Sequence, residues 1–148
     1  MRSRRGIRSM KENQRRADSY LSQIRNASKE LTELIFQIDF LRYKASGAGA
    51  IRYDKDRVQT SPSDMMCEAL SEAVFLEDKL SSRHKQLQAM KEHTEKTIAL
   101  WNNNNARFIE IYYLNHGSMT EVADRIGCTS RSAYNIKFRA LEEFSKHL

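Results

Sequence analysis

Ser118-Met119-Thr120-Glu121-Val122-Ala123-Asp124-Arg125-Ile126-Gly127-Cys128-Thr129-Ser130-Arg131-Ser132-Ala133-Tyr134-Asn135-Ile136 reads as two short helices joined by a tight turn. Ser118 and Glu121 have the spacing of a capping box, and Val122, Ala123 and Ile126 then form the inward face of a first helix. Gly127 stands where a left-handed residue ends it. After a three-residue break, Thr129 caps a second helix whose inward face is Ala133, Ile136, Ala140 and Phe144. Two helices that cross closely need a small residue in the first, which Ala123 supplies, and a residue tolerant of positive φ in the turn, which Gly127 supplies. Val122, Ile126, Cys128, Ala133 and Ile136 are placed to pin the pair together. The layout is a helix-turn-helix.

Upstream, Phe108, Ile109, Ile111, Tyr112 and Leu114 predict a short apolar helix stopping at Gly117, and the four asparagines Asn102 to Asn105 mark a boundary before it. Before that boundary lies a long helix. Ser61-Pro62-Ser63-Asp64 is its start signal, with Ser61 as cap, Pro62 at the first helical position and Asp64 three residues after the cap. Met66, Ala73, Leu80, Leu87, Thr94 and Trp101 follow at sevens, partnered by Ala69, Leu76 and Met90, while Arg83 and Thr97 interrupt the second row. Its acids come first and its bases later, as the helix dipole favours.

A second stripe, Ile24, Leu31 and Ile38 with Ala27, Leu34 and Leu41, predicts one heptad-like helix from Ala17 to Tyr43. Gly47 and Gly49 end it, and a charged connector from Ile51 to Thr60 leads on. The expectation is an all-α chain: a basic flexible arm over 1–16, a long helical hairpin or coiled coil over 17–101 that assembles the protein, and a small helix-turn-helix DNA-binding domain over 102–148. Neither long helix has a complete apolar jacket, so a second copy is expected to cover the remainder, giving a homodimer or higher homo-oligomer.

Composition agrees with long, solvent-washed helices: 148 residues, 40% apolar, 30% charged, one proline and five glycines. The net charge of +6 resides in the first 16 residues, where Arg2, Arg4, Arg5, Arg8, Lys11, Arg15 and Arg16 face a single acid, Glu12; the remainder holds 18 bases and 18 acids. No apolar run suits a membrane span or a secretory signal, and Cys67 and Cys128 fit two reduced, buried thiols, so the expected compartment is cytoplasmic. The four histidines have no metal-ligand spacing, and no phosphate loop, nucleophile elbow or paired buried acid is present. The chain is not expected to be an enzyme or to hold a cofactor.

With Ala133, Ile136 and Ala140 facing inward, the ~100° step per residue turns Arg131, Tyr134, Asn135 and Phe138 outward, with Ser132 and Arg139 alongside. That face suits double-stranded DNA. Arg131 has the reach to bridge guanine O6 and N7, Asn135 to pair with adenine N6 and N7, and Tyr134 or Phe138 to meet a thymine methyl. Thr120, Ser130, Lys137 and Arg139 suit phosphate contacts that set register without reading bases. From Met119 to Leu148 five bases face four acids, so one copy would bind weakly and a second copy or the basic arm would have to contribute.

The run from Phe108 to Leu114, Ser118 to Gly127 and Thr129 to Tyr134 resembles DNA-binding region 4 of bacterial sigma factors and, more narrowly, phage late-gene transcription regulators of the ArpU and RinA type. Arg57-Val58-Gln59-Thr60-Ser61-Pro62 before a long helix is similar to small phage and prophage proteins of that group. The resemblance implies a prophage-encoded regulator in the cytoplasm of a bacterial host, which binds near a promoter and assists RNA polymerase. The recognition role then falls on Ser130, Arg131, Tyr134, Asn135 and Arg139, although Asn135 and Phe138 stand where basic residues are common in those helices. Two other readings fit the pattern: the DNA-recognition subunit of a phage packaging enzyme (a small terminase), and a coiled-coil scaffold that binds no DNA.

Overall fold

A computed structural model describes residues 9–47 and 62–148. The connector, the Ser61 cap and the first eight residues of the arm lie outside the described residues. The chain is all-helical: α1 (Glu12–Arg25), α2 (Ala27–Ala45), α3 (Pro62–Ala99), α4 (Asn104–Ile109), a π-helical turn (Glu110–Leu114), α5 (Met119–Ile126) and α6 (Ser130–Ser145). Among the described residues no helix is long and apolar enough to cross a membrane.

The chain divides into two compact units, residues 27–86 and residues 1–26 with 87–148. The division differs from the one that hydrophobic spacing suggests. The helix foreseen from Ala17 to Tyr43 is interrupted at Asn26, whose φ of −94° and ψ of 6° leave the helical run. The physical reason lies in the stripe itself, which serves two different cores: Ala17, Leu21 and Ile24 are buried in the larger unit, and Leu34, Ile38 and Leu41 in the hairpin. The part of the foreseen arm from Glu12 to Arg16 is the first turn of α1. The Lys11 amide donates to Gln14 Oε1 at 2.8 Å, which satisfies one of the free amides at that helix start.

The unit of residues 27–86 is an antiparallel hairpin. Its enclosed cluster is Leu41, Ala69 and Ala73, with Ala45 and Leu76 packed against it. Two ion pairs fix the relative direction of its two helices. Arg83 Nε donates to Glu30 Oε2 at 2.6 Å, and Arg42 Nε donates to Glu77 Oε2 at 2.9 Å, so later residues of α2 meet earlier residues of α3. Arg83 thereby explains its interruption of the heptad row. Gly47, at φ +84°, makes the left-handed exit from α2. Cys67, expected to be buried, is exposed because it lies on the far side of α3 from the Ala69 and Ala73 seam, and Cys128 is only half-buried.

In the larger unit, α1, α4, the π-helical turn, α5 and α6 pack around Phe108, Ile109, Tyr113, Val122, Ala133, Leu141 and Phe144, none of which is exposed. The last turns of α3 bury two threonines there. Thr94 and Thr97 donate their hydroxyls to the carbonyls of Met90 and His93, at 2.9 and 2.8 Å, so each buried hydroxyl is paired within its own helix.

Candidate nucleic-acid interface

The two helices that carry the candidate site begin with side-chain caps. Ser118 Oγ accepts from the Glu121 amide at 3.1 Å, and Thr129 Oγ1 accepts from the Ser132 amide at 3.1 Å. Each such cap contributes roughly 1 kcal/mol. Gly127 ends α5 at φ +85°, and the amides of Gly127 and Cys128 both donate to the Ala123 carbonyl, at 2.8 and 2.9 Å. The turn therefore closes as the sequence requires. Ala133, Ile136 and Ala140 are buried, and Val122 and Ala123 of α5 are buried beside them.

The outer side of α6 divides into two halves. In the first half Ser130, Arg131, Tyr134 and Asn135 are exposed, Tyr134 at 47% of its surface, and Thr120 at the start of α5 is exposed as well. Ser132 is half-buried, and its hydroxyl accepts from that of Thr129 at 3.2 Å. In the second half α1 lies against the helix. Gln14 Nε2 donates to the Phe138 carbonyl at 3.1 Å and to Glu142 Oε1 at 3.2 Å, and Asn13 Nδ2 donates to Glu142 Oε2 at 3.1 Å. Phe138 is half-buried there, whereas Arg139 remains exposed. Lys137 is half-buried and sits with its Nζ 5.5 Å from the centre of the Tyr112 ring, on another side of α6 from Arg131. The structure thus groups Arg131, Tyr134 and Asn135 and sets Lys137 and Phe138 apart from them.

Two acids that weaken the charge of this segment have partners elsewhere. Glu142 takes the contacts with α1, including Lys11 Nζ at 3.6 Å, and Glu143 accepts from Asn105 Nδ2 at 2.9 Å. The Asn13 hydrogen bond, and then the charge of Lys11, hold the Glu142 carboxyl below the ordinary glutamate range despite some opposing desolvation. A carboxyl with a lowered folded-state pKa stabilises the fold above its unfolded pKa, and that contribution disappears as pH falls through the lowered value. Accordingly, Glu142→Gln should lower the melting temperature at neutral pH and flatten the acid side of a plot of melting temperature against pH, so that variant and parent converge below the glutamate range. An unchanged acid side would remove Glu142 from the contact.

Residues from α1 also hold the platform on which α5 stands. Arg25 donates through Nη1 to the carbonyls of Tyr112 and, at 2.8 Å, Gly117, and its guanidinium carbon lies 4.0 Å from the Tyr112 ring centre. Tyr113 donates its hydroxyl to Asp18 Oδ1 at 2.6 Å. Burial, reinforced by that carboxylate acceptor, pushes the phenol far above its ordinary range, so it stays a neutral donor. The π-helical turn is closed by the Asn115 amide on the Glu110 carbonyl at 2.9 Å, and Gly117 follows with its amide on the Ile111 carbonyl at 2.8 Å. A Cβ on Gly117 would lie 2.9 Å from that same carbonyl oxygen, which explains glycine at the entrance to α5. Spacing along the chain does not reveal Gln14, Asp18 and Arg25 as parts of this site, because their partners lie about 90 or more positions away.

No protein-family model, curated protein or solved structure matches this chain.

Proposed function

We propose that the chain is a sequence-specific transcription regulator of phage or prophage type that binds double-stranded DNA, with α6 lying in the major groove. The observation that carries this reading is the pairing of a capped, left-handed-turn helix corner with an outward face of Arg131, Tyr134 and Asn135 beside Ser130 and Thr120. These residue types suit a duplex: a guanidinium for guanine, an amide for adenine, and hydroxyls for phosphates. Arg139 adds a cation at the edge of the same face. Two copies, each with one reading helix, suit half-sites about 34 Å or a multiple apart. In this reading RNA polymerase is the protein partner and the bacterial cytoplasm the compartment.

The test is footprinting on the DNA of the host element, followed by titration of Arg131→Ala on the protected site. Loss of a bidentate guanine contact weakens specific binding by about 5- to 150-fold and relaxes preference at one position. Equal affinity and equal preference in the variant would remove α6 as the reading helix. Protection at a packaging site instead of a promoter would favour the terminase reading. No binding to any duplex at low salt, where phosphate contacts are strongest, would leave the scaffold reading.

A further inference from the structure

The hairpin of residues 27–86 leaves large apolar side chains outside its small enclosed cluster. Phe36, Phe40 and Tyr43 of α2 are 70%, 62% and 56% exposed. At ~100° per residue the three fall on one narrow stripe, on the side of α2 opposite the buried Leu34, Ile38 and Leu41. The heptad row that suggests assembly in the sequence is thus consumed inside the hairpin, and a different row remains outside.

We infer that this outer row is a self-association face, on which α2 of a second copy packs antiparallel about a two-fold axis near Ile38 and Asp39. The axis follows from aromatic and charge positions independently. Phe36 of one copy meets Phe40 of the other if the axis passes level with Ile38. Glu33 and Lys44, both exposed and both on the same flank of the row, meet across copies if it passes between Ile38 and Asp39. At 1.5 Å per residue the two alignments agree to within about 1 Å. A two-fold axis perpendicular to the helices brings like flanks together, so it sets Glu33 against Lys44 twice. Parallel pairing would instead set each charge level with its own copy. Lys44 is already poised at this row, with its Nζ 5.5 Å from the centre of the Phe40 ring.

The area is also of the right size. Three aromatic side chains at these exposures present roughly 350 Å² per copy. With the stems of Thr32, Glu33, Asp39 and Lys44, a pair approaches the ~1,200 Å² at which specific interfaces begin. Isolated apolar residues are ordinary on a surface, whereas a contiguous patch of a few hundred Å² is often a functional one. Glu33 and Asp39 balance Lys29 and Lys44 along it, so the row has no net positive charge to draw an anionic lipid surface, and the self-complementary protein surface is its match.

The inference rests on the two-copy arrangement proposed above and supplies its contact, and it is tested on the full chain without DNA by sedimentation equilibrium. The protein is expected to be a dimer at about 50 µM, with Phe40→Glu monomeric and unchanged in helix content by circular dichroism. Glu33→Lys and Lys44→Glu are each expected to weaken the dimer about tenfold, and the double variant to restore it. A monomeric parent chain, a dimer that survives Phe40→Glu, or a double variant no tighter than either single one would overturn the inference. Vesicle binding by a monomeric parent chain would overturn it in favour of a membrane-facing patch. A dimer that binds no duplex leaves this inference standing and removes the DNA reading; a monomer that binds duplex does the reverse.

Discussion

Phe144→Ala is expected to lower the free energy of unfolding by about 3–5 kcal/mol. The ring is fully buried near the end of α6, with its centre 5.7 Å from that of Tyr20, 6.2 Å from His93 and 6.5 Å from Trp101. These neighbours belong to α1, α3 and the segment after it, so truncation opens a space walled by stiff rings that cannot collapse into it. Trp101, the single tryptophan, lies beside that space and makes its fluorescence a local reporter. The measurement is a urea titration followed at that tryptophan, in which the midpoint falls and the slope is retained. A loss below about 1 kcal/mol would show that the far end of α6 is not anchored there.

Arg25→Met should cost about 2–4 kcal/mol, because one guanidinium satisfies two carbonyls and stacks on an aromatic face. Methionine fills much of the same volume but leaves the carbonyls of Tyr112 and Gly117 without their donor. Arg25→Lys should recover less than half of the loss, since an ammonium has neither the fork nor the plane for that position. The same titration reads it. A neutral result for Arg25→Met would mean that the π-helical turn and Gly117 hold their geometry from within.

What the amino-acid order revealed and what it hid divide along physical lines. Caps, left-handed glycines and proline at the first turn act within four residues, so Ser118, Gly127, Thr129, Gly47 and the start of α3 at Pro62 were all legible. Periodicity identified the buried rows of α2 and α3 and the inward face of α6, because period alone decides which residues share a side. It did not reveal that a regular row can change partners midway, as it does at Asn26, because the spacing of Ile24, Leu31 and Ile38 is the same whether one core or two receives them. Nor could spacing place α1 on α6. Gln14, Asp18 and Arg25 look like ordinary polar residues of an exposed helix until their distant acceptors are known. The widened turn at Glu110–Leu114 was hidden for a related reason: a run of apolar residues buried on most sides carries no phase from which an extra residue could be noticed.

The seating of α1 over Phe138 and Glu142 has a consequence for information content. From Arg131 to Asn135 the open part of α6 advances about 6 Å along its axis. That is a span of about two base steps at 3.4 Å each. A vocabulary so short recurs everywhere in a genome, so under the DNA reading a single helix names almost nothing. Discrimination then belongs to the interval between two such words, and the ruler that sets it is the distance at which two chains are held.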